Sequence, residues 1–350
     1  MDTSTTRVRQ QRWRQTRQHR VQTRCCDRGG AVKHVAGATL RDQPQHSRRL
    51  ALLGGTGVVV GITKSLALAE EPIRVRTSDG ELVSSFATVE EAVAACPDGG
   101  AVLLAPGTRY ESRVIVNNAR SVTVIATADV GEALSPPDEQ QAPPATLIHR
   151  TSTPYESVVE ASGGARVSIV NVDILHSSKS VARNYAVLAC EESRVSLTKS
   201  VVTSETGSGV GCEGGAISLD RVLVTNCSNH GALLQGGLEG DTWDDEQQSK
   251  PGSSISNSQF VSNGGDGVYF RDGAGCLLLK NVKTEKNAIS GIHVGTGVVG
   301  GTAQVKVDNV ASVGDRKGGV LIEATKGGMG RDAAEELAHT FSKDVQVVIT

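Results

Sequence analysis

Over residues 187–323 one short apolar phrase returns: VLACE from Val187, GVGCE from Gly209, GALLQ from Gly231, GVYFR from Gly267, GIHVG from Gly291 and GVLIE from Gly319. Side chains alternate across a strand, so the first and third residues past each head share one face. The first file is Leu188, Val210, Ala232, Val268, Ile292 and Val320, and the third is Cys190, Cys212, Leu234, Phe270, Val294 and Ile322. Both are apolar, which predicts an inward face. A second strand follows in each unit, with inward pairs Val167/Ile169, Val195/Leu197, Ile217/Leu219, Leu277/Leu279 and Val305/Val307. The heads recur at steps of 22, 22, 36, 24 and 28 residues. A fixed unit with insertions is the signature of stacked repeats.

Ahead of the repeats the pattern changes to a helix start. Thr88 followed by Glu91 forms a capping box, and Val89, Ala92, Val93 and Cys96 make an apolar stripe. PDGG (Pro97–Gly100) then turns the chain into AVLLAP, PGTRYES and a strand from Val114. Asn226, Asn263 and Asn287 fall four or five residues before later heads, where left-handed corners are expected.

This order of helix, PDGG, strand, PGTxYxE and strand resembles the opening of the pectate-lyase-like class. The repeats are similar to the generic β-helix repeats of F-box-only and SHC-binding adaptor proteins. The resemblance covers about residues 80–325. It implies an all-β, single-stranded right-handed parallel β-helix with an N-terminal capping helix and a C-terminal helix/strand cap over 331–350. A leucine-rich repeat is excluded because no L-x-x-L-x-L pattern occurs.

Charge divides the chain. Residues 1–69 hold 13 of the 36 Lys and Arg but only three acids, leaving 23 basic against 35 acidic side chains in 70–350. The acid-poor leader over 1–46 precedes Arg48-Arg49, an apolar run from Leu50 to Ile62 and Ala67-Leu68-Ala69. A twin arginine, a short apolar core and an A-x-A site over 47–69 make a Tat-type signal, too short to span a bilayer. The arrangement resembles bipartite targeting to the thylakoid lumen; a bacterial-type Tat export route is the alternative. The acidic repeat domain argues against a nucleic-acid partner.

Chemistry must come from outward positions. Counted at position four, Glu160, Glu191 and Glu213 stack on successive coils, followed by Gln235 and Arg271. Like charges opposed across strands repel, so the column calls for a cation, a raised pKa or splaying into water. The resemblance implies that Glu160, Glu191 and Glu213 hold Ca²⁺ and that Arg271 or Arg221 acts as the base of a polysaccharide lyase. The acidic insertion over 236–254 carries Trp243, which can stack on a sugar, alongside ligand-binding candidates Gln235, Tyr269 and His293.

Other features weaken catalysis. There is no NTD motif, aromatics are scarce, histidines lack zinc spacing, and no nucleophile elbow occurs. Ser228-Asn229-His230-Gly231 resembles the S/G-H-G turn of polygalacturonases. The leading expectation is therefore a non-catalytic lumenal scaffold that binds a protein partner or a ligand, with Leu233, Tyr269, His293 and Leu321 on its presented face and no obligatory cofactor. A Ca²⁺-dependent lyase and a carbohydrate-binding module are the alternatives. Cys190 and Cys212 are expected on adjacent coils of the inward file, as a disulfide or as buried thiols.

Overall fold

A computed structural model of the chain describes residues 73–127, 142–180, 184–235, 252–271, 276–295, 304–324 and 345–349, with isolated positions 335, 338 and 339. The segment expected to act as a targeting leader, Trp243 with most of the insertion, and most of the segment expected to form the C-terminal helix lie outside the described residues. Among the described residues no helix is long and apolar enough to cross a membrane.

The domain is a parallel β-helix. One coil shows the plan: Arg166–Val170, a single left-handed residue at Asn171, Val172–Ser178, then Tyr185–Cys190. Each strand pairs in parallel with its equivalents in neighbouring coils. The first two legs build a 16-stranded sheet bent at the corner, and the third builds a nine-stranded sheet. We call them the long and short sheets. The predicted inward pairs stack in register, Val167 on Val195 on Ile217 and Ile169 on Leu197 on Leu219, and Leu277/Leu279 meet Val305/Val307. Their narrow layers form the core. Removing each such aliphatic side chain from water stabilises by about 1.5–3 kcal/mol.

The corner of the long sheet is built from one column: Asn171, Lys199, Arg221, Asn257, Asn281 and Asn309, all at φ between 49° and 57°. Asparagine tolerates this conformation because its amide bonds locally. Asn257, Asn281 and Asn309 also bond to one another, at 3.0 and 2.9 Å.

The asparagines expected at left-handed corners behave differently. Asn226 does have positive φ, but its stacked equivalents are Ser262, Lys286 and Gly314. Asn263 and Asn287 sit one residue later and point inward, almost fully buried. Asn287 accepts from Asn263 Nδ2 and donates to Asp315 Oδ1 and to the Phe260 carbonyl. They form an internal polar ladder, which answers the demand that every buried polar group find a partner.

At the N-terminal end, helix Val89–Ala95 is capped by Thr88, whose hydroxyl accepts from the Glu91 amide. An antiparallel hairpin, Ile73–Arg76 with Leu82–Phe86, pairs on Gly100–Leu104 and closes that edge of the long sheet. The alternation in these strands is too short to stand out in sequence. At the other end, Val345–Ile349 adds a further parallel strand to Val320–Ala324.

Candidate functional site

The short sheet sets the register of the outward residues, and it corrects the glutamate column. Val187, not Leu188, pairs with Val210, so the VLACE coil is shifted by one residue. Glu160 lies opposite Leu188, Cys190 lies opposite Glu213, and Glu191 follows the strand at φ 51°. Glu160, Glu191 and Glu213 are therefore not one stacked file. The cause is legible: Tyr185–Cys190 is apolar throughout, so its sequence carries no alternation to fix the phase. Cys190 faces out and is half-buried, Cys212 faces the core, and both are free thiols. Burial, with Glu160, Glu191 and Glu213 nearby, pushes the Cys190 thiol up to about 12. Among the described residues no three acidic, histidine or cysteine side chains converge to hold a metal ion.

Glu160 belongs instead to a polar cluster at the N-terminal end of the face. Arg113 reaches Glu156 at 3.3 Å and Glu160 at 3.5 Å, and His149 Nε2 lies 3.2 Å from Glu156. Burial raises the Glu160 carboxyl against the pull of Arg113. Arg221 is on the other sheet, in the left-handed corner, paired with Asp220 at 2.9 Å. It does not meet Arg271, which lies on the short sheet.

Further along the short sheet, four coils bring together Arg271, Tyr269 and His293, three of the sequence candidates, with His230, Asp266, Ser290 and Glu323. Tyr269 pairs with His293 in register, and Gln235 with Arg271. The Tyr269 and His293 rings stack at 4.1 Å and 11°, and the His230 ring lies tilted against Tyr269 at 5.3 Å and 52°. The Arg271 guanidinium lies 6.0 Å from the Tyr269 centroid. One face of the tyrosine ring is thus covered by the His293 imidazole.

Asp266 organises the group. It is 1% exposed. Its Oδ1 accepts from the Ser290 amide at 3.0 Å and the Ser290 hydroxyl at 2.6 Å. Its Oδ2 lies 3.2 Å from both His230 Nδ1 and His293 Nδ1. Burial alone would push this carboxyl up, but bonds from His230, His293 and Ser290 overcome it and hold it well below the usual carboxylate range. His230 Nδ1 also lies 3.1 Å from the Asp266 amide. It accepts that N–H in one tautomer and donates to Oδ2 when it carries hydrogen.

His293 is oriented by the same carboxylate, which leaves Nε2 as its second nitrogen. Glu323 Oε1 is 3.3 Å from that atom, yet the contact lacks hydrogen-bond alignment and Nε2 is buried without a partner. The distance reports proximity, and the alignment decides that no bond is made. In the outermost row Gly295 falls between Arg271 and Glu323, because Gly295 N donates to Phe270 O and Val294 pairs with Ile322. Two coil spacings, about 9–10 Å, then separate a cation from an acid across a residue with no side chain. A Cβ on Gly295 would approach Arg271 Cβ to 3.2 Å and Tyr269 Cε2 to 3.3 Å.

Leu233 and Leu321, expected on a presented face, are 3% and 8% exposed. Leu233 is hemmed in by Tyr269 on one side and, on the other, by Gly211 beneath the Tyr185 ring. Trp243 lies outside the described residues. Glu323 stands in the outward position-four column of the sequence with no role assigned to it, whereas Asp266 was missed: it sits in a Gly-rich turn just before the head at Gly267, and only the recurrence of polar Ser208, His230, Asp266 and Ser290 just before successive glycines marked that column.

No protein-family model matches this chain, and none of the curated proteins matches it. Among solved structures it is similar to pectate lyase Pel9A, at 12% identity over 76% of this chain and 72% of that one, with a TM-score of 0.36. It is also similar to the A-module of the Azotobacter vinelandii mannuronan C-5 epimerase AlgE4, at 13% identity over 68% and 75% of the two chains, with a TM-score of 0.32.

Proposed function

We propose that the outer face of the short sheet is an acid–base site for a carboxylate-bearing sugar, and that the protein acts on uronate polymers rather than serving only as a scaffold. The observation that carries this is Asp266, buried and bridging two imidazoles. A face built only for solubility has no need of an ionised carboxylate held out of water, whose burial is costly unless every bond is made. Arg271 supplies the planar donor group suited to a carboxylate, and an imidazole oriented by a carboxylate is a recurrent proton-transfer unit. Proton exchange at the carbon beside a uronate carboxylate leads to elimination or epimerisation. Glu160, Glu191 and Glu213 as Ca²⁺ ligands form no part of this reading.

A scaffold reading is favoured by one observation, the burial of His293 at 8% exposure, which suits a polar clamp joining coils. Calorimetric titration with oligogalacturonate and oligomannuronate separates the two. The proposal expects binding that Arg271→Ala weakens at least tenfold; absence of binding to both supports the clamp. We further propose that residues 1–69 direct the protein to the thylakoid lumen. A reporter fused to those residues should enter chloroplasts, and a purely cytosolic signal refutes the assignment.

A further inference from the structure

We infer that Glu323, rather than either histidine, is the group that exchanges a proton with the ligand, and that His293 relays that proton inward toward Asp266. The inference rests on the acid–base reading above and assigns its outermost member.

Three observations carry it. First, both carboxylate oxygens of Asp266 are committed, Oδ1 to Ser290 and Oδ2 to the two histidines. Asp266 is also 1% exposed, so it does not itself meet a ligand. Second, His293 gives its Nδ1 to Asp266, while its Nε2 is buried and unbonded. A buried nitrogen without a partner is a rare feature that asks for an explanation. Third, Glu323 Oε1 stands 3.3 Å from that nitrogen, and the Glu323 side chain is 31% exposed. Its carboxylate therefore stands beside the enclosed nitrogen while the side chain is itself reached by solvent.

The proton count is simple. With hydrogen on Nδ1, His293 Nε2 and an ionised Glu323 are both acceptors, so the contact between them becomes favourable only when one proton is placed there. A ligand C–H or O–H that loses its proton to the Glu323 carboxylate leaves its electron pair on the ligand and makes the carboxylic acid. Glu323 passes the proton to Nε2 and returns to carboxylate. The imidazolium then lies between Asp266 and Glu323, two opposite charges within direct reach, and the ligand anion faces Arg271. The groups that bear on His293 are Asp266, Glu323, the stacked Tyr269, and, through Asp266, His230; Arg271 acts from beyond the Tyr269 ring.

Glu323→Gln keeps the size of the side chain and removes its proton exchange. With a polyuronate that the wild type turns over, kcat should fall about 100-fold while KM stays within about twofold. Glu323→Asp should recover part of the rate, with an altered pH profile. Retention of wild-type kcat and pH profile in Glu323→Gln would overturn the assignment. A second readout needs no substrate. Across a pH series, the ¹⁵N resonance of His293 Nε2 should change in Glu323→Gln while His230 is unaffected; identical His293 resonances in the two proteins refute the relay. If the wild type turns over no polyuronate, the functional reading fails by itself, and the ¹⁵N comparison still decides whether Glu323 and His293 share a proton.

Discussion

Asp266 and His293 stand on successive coils of the short sheet, with Oδ2 of the first 3.2 Å from Nδ1 of the second. They are 27 residues apart in sequence, and only the stacking of coils brings them together. The same carboxylate oxygen serves His230 from the coil before, so one residue ties three coils.

Asp266→Asn removes the charge that both imidazoles share and should destabilise the domain by about 3 kcal/mol, the scale for breaking a buried ionic contact from one side. The pH dependence has a defined sign. A carboxyl held low in the folded state contributes stability that is present above about pH 3.9, its unfolded value, and lost as pH falls through the folded value. Acid unfolding followed by circular dichroism should show this acid limb in the wild type and a shallower one in the variant.

Asn287 makes its bonds inside the coil, to Asn263, Asp315 and the Phe260 carbonyl. Asn287→Ala strands several buried groups, each costing about 1–3 kcal/mol. Urea unfolding should register a loss of about 3 kcal/mol or more. A loss below about 1 kcal/mol would mean that the ladder is replaceable.

Arg221 occupies the left-handed corner column at φ 55°. Left-handed backbone costs most residues about 1–2 kcal/mol, and asparagine less. Arg221→Asn also forfeits a surface ion pair with Asp220 worth under about 1 kcal/mol. The net expectation is a stabilisation of about 0.5 kcal/mol with unchanged ligand binding, measured by thermal unfolding and calorimetric titration. Loss of ligand binding in this variant would return Arg221 to the functional site.

His176 is wholly enclosed, with Nε2 donating to the Glu156 carbonyl and Nδ1 accepting from Ser204. Burial lowers its pKa, with His149 and Arg113 adding to the effect and the Glu156 carbonyl and Glu205 opposing it. The unfolded chain therefore takes up this proton first. Stability should decline as pH drops below about 6.5, and the melting temperature of His176→Asn should fall less between pH 7 and pH 5.

What the sequence made visible follows from periodicity. Inward files such as Val195/Leu197 and Ile217/Leu219 alternate with polar residues, so their phase is fixed by side chains alone. Tyr185–Cys190 has no such alternation, and there a one-residue shift moved Cys190 out of the core and broke the proposed glutamate file. Asn263 and Asn287 were visible as a recurrence but not as inward residues, because asparagine is at home both in left-handed turns and in buried ladders. Tyr269, His293 and Arg271 were legible because they interrupt an apolar strand on its outward face. Asp266 and His230 lie in turns, where polar residues are ordinary, and their partnership depends on coil stacking with unequal insertions.

The most direct measurement is the ultraviolet absorbance of unsaturated uronate, or the change in uronate epimer content by NMR, when the purified protein is incubated with polygalacturonate and polymannuronate. The account predicts product with the wild type and a fall of about 100-fold or more with His293→Gln, with Arg221→Asn unaffected. Neither unsaturated nor epimerised product from the folded wild-type protein would contradict it and leave the Asp266 cluster as a clamp between coils.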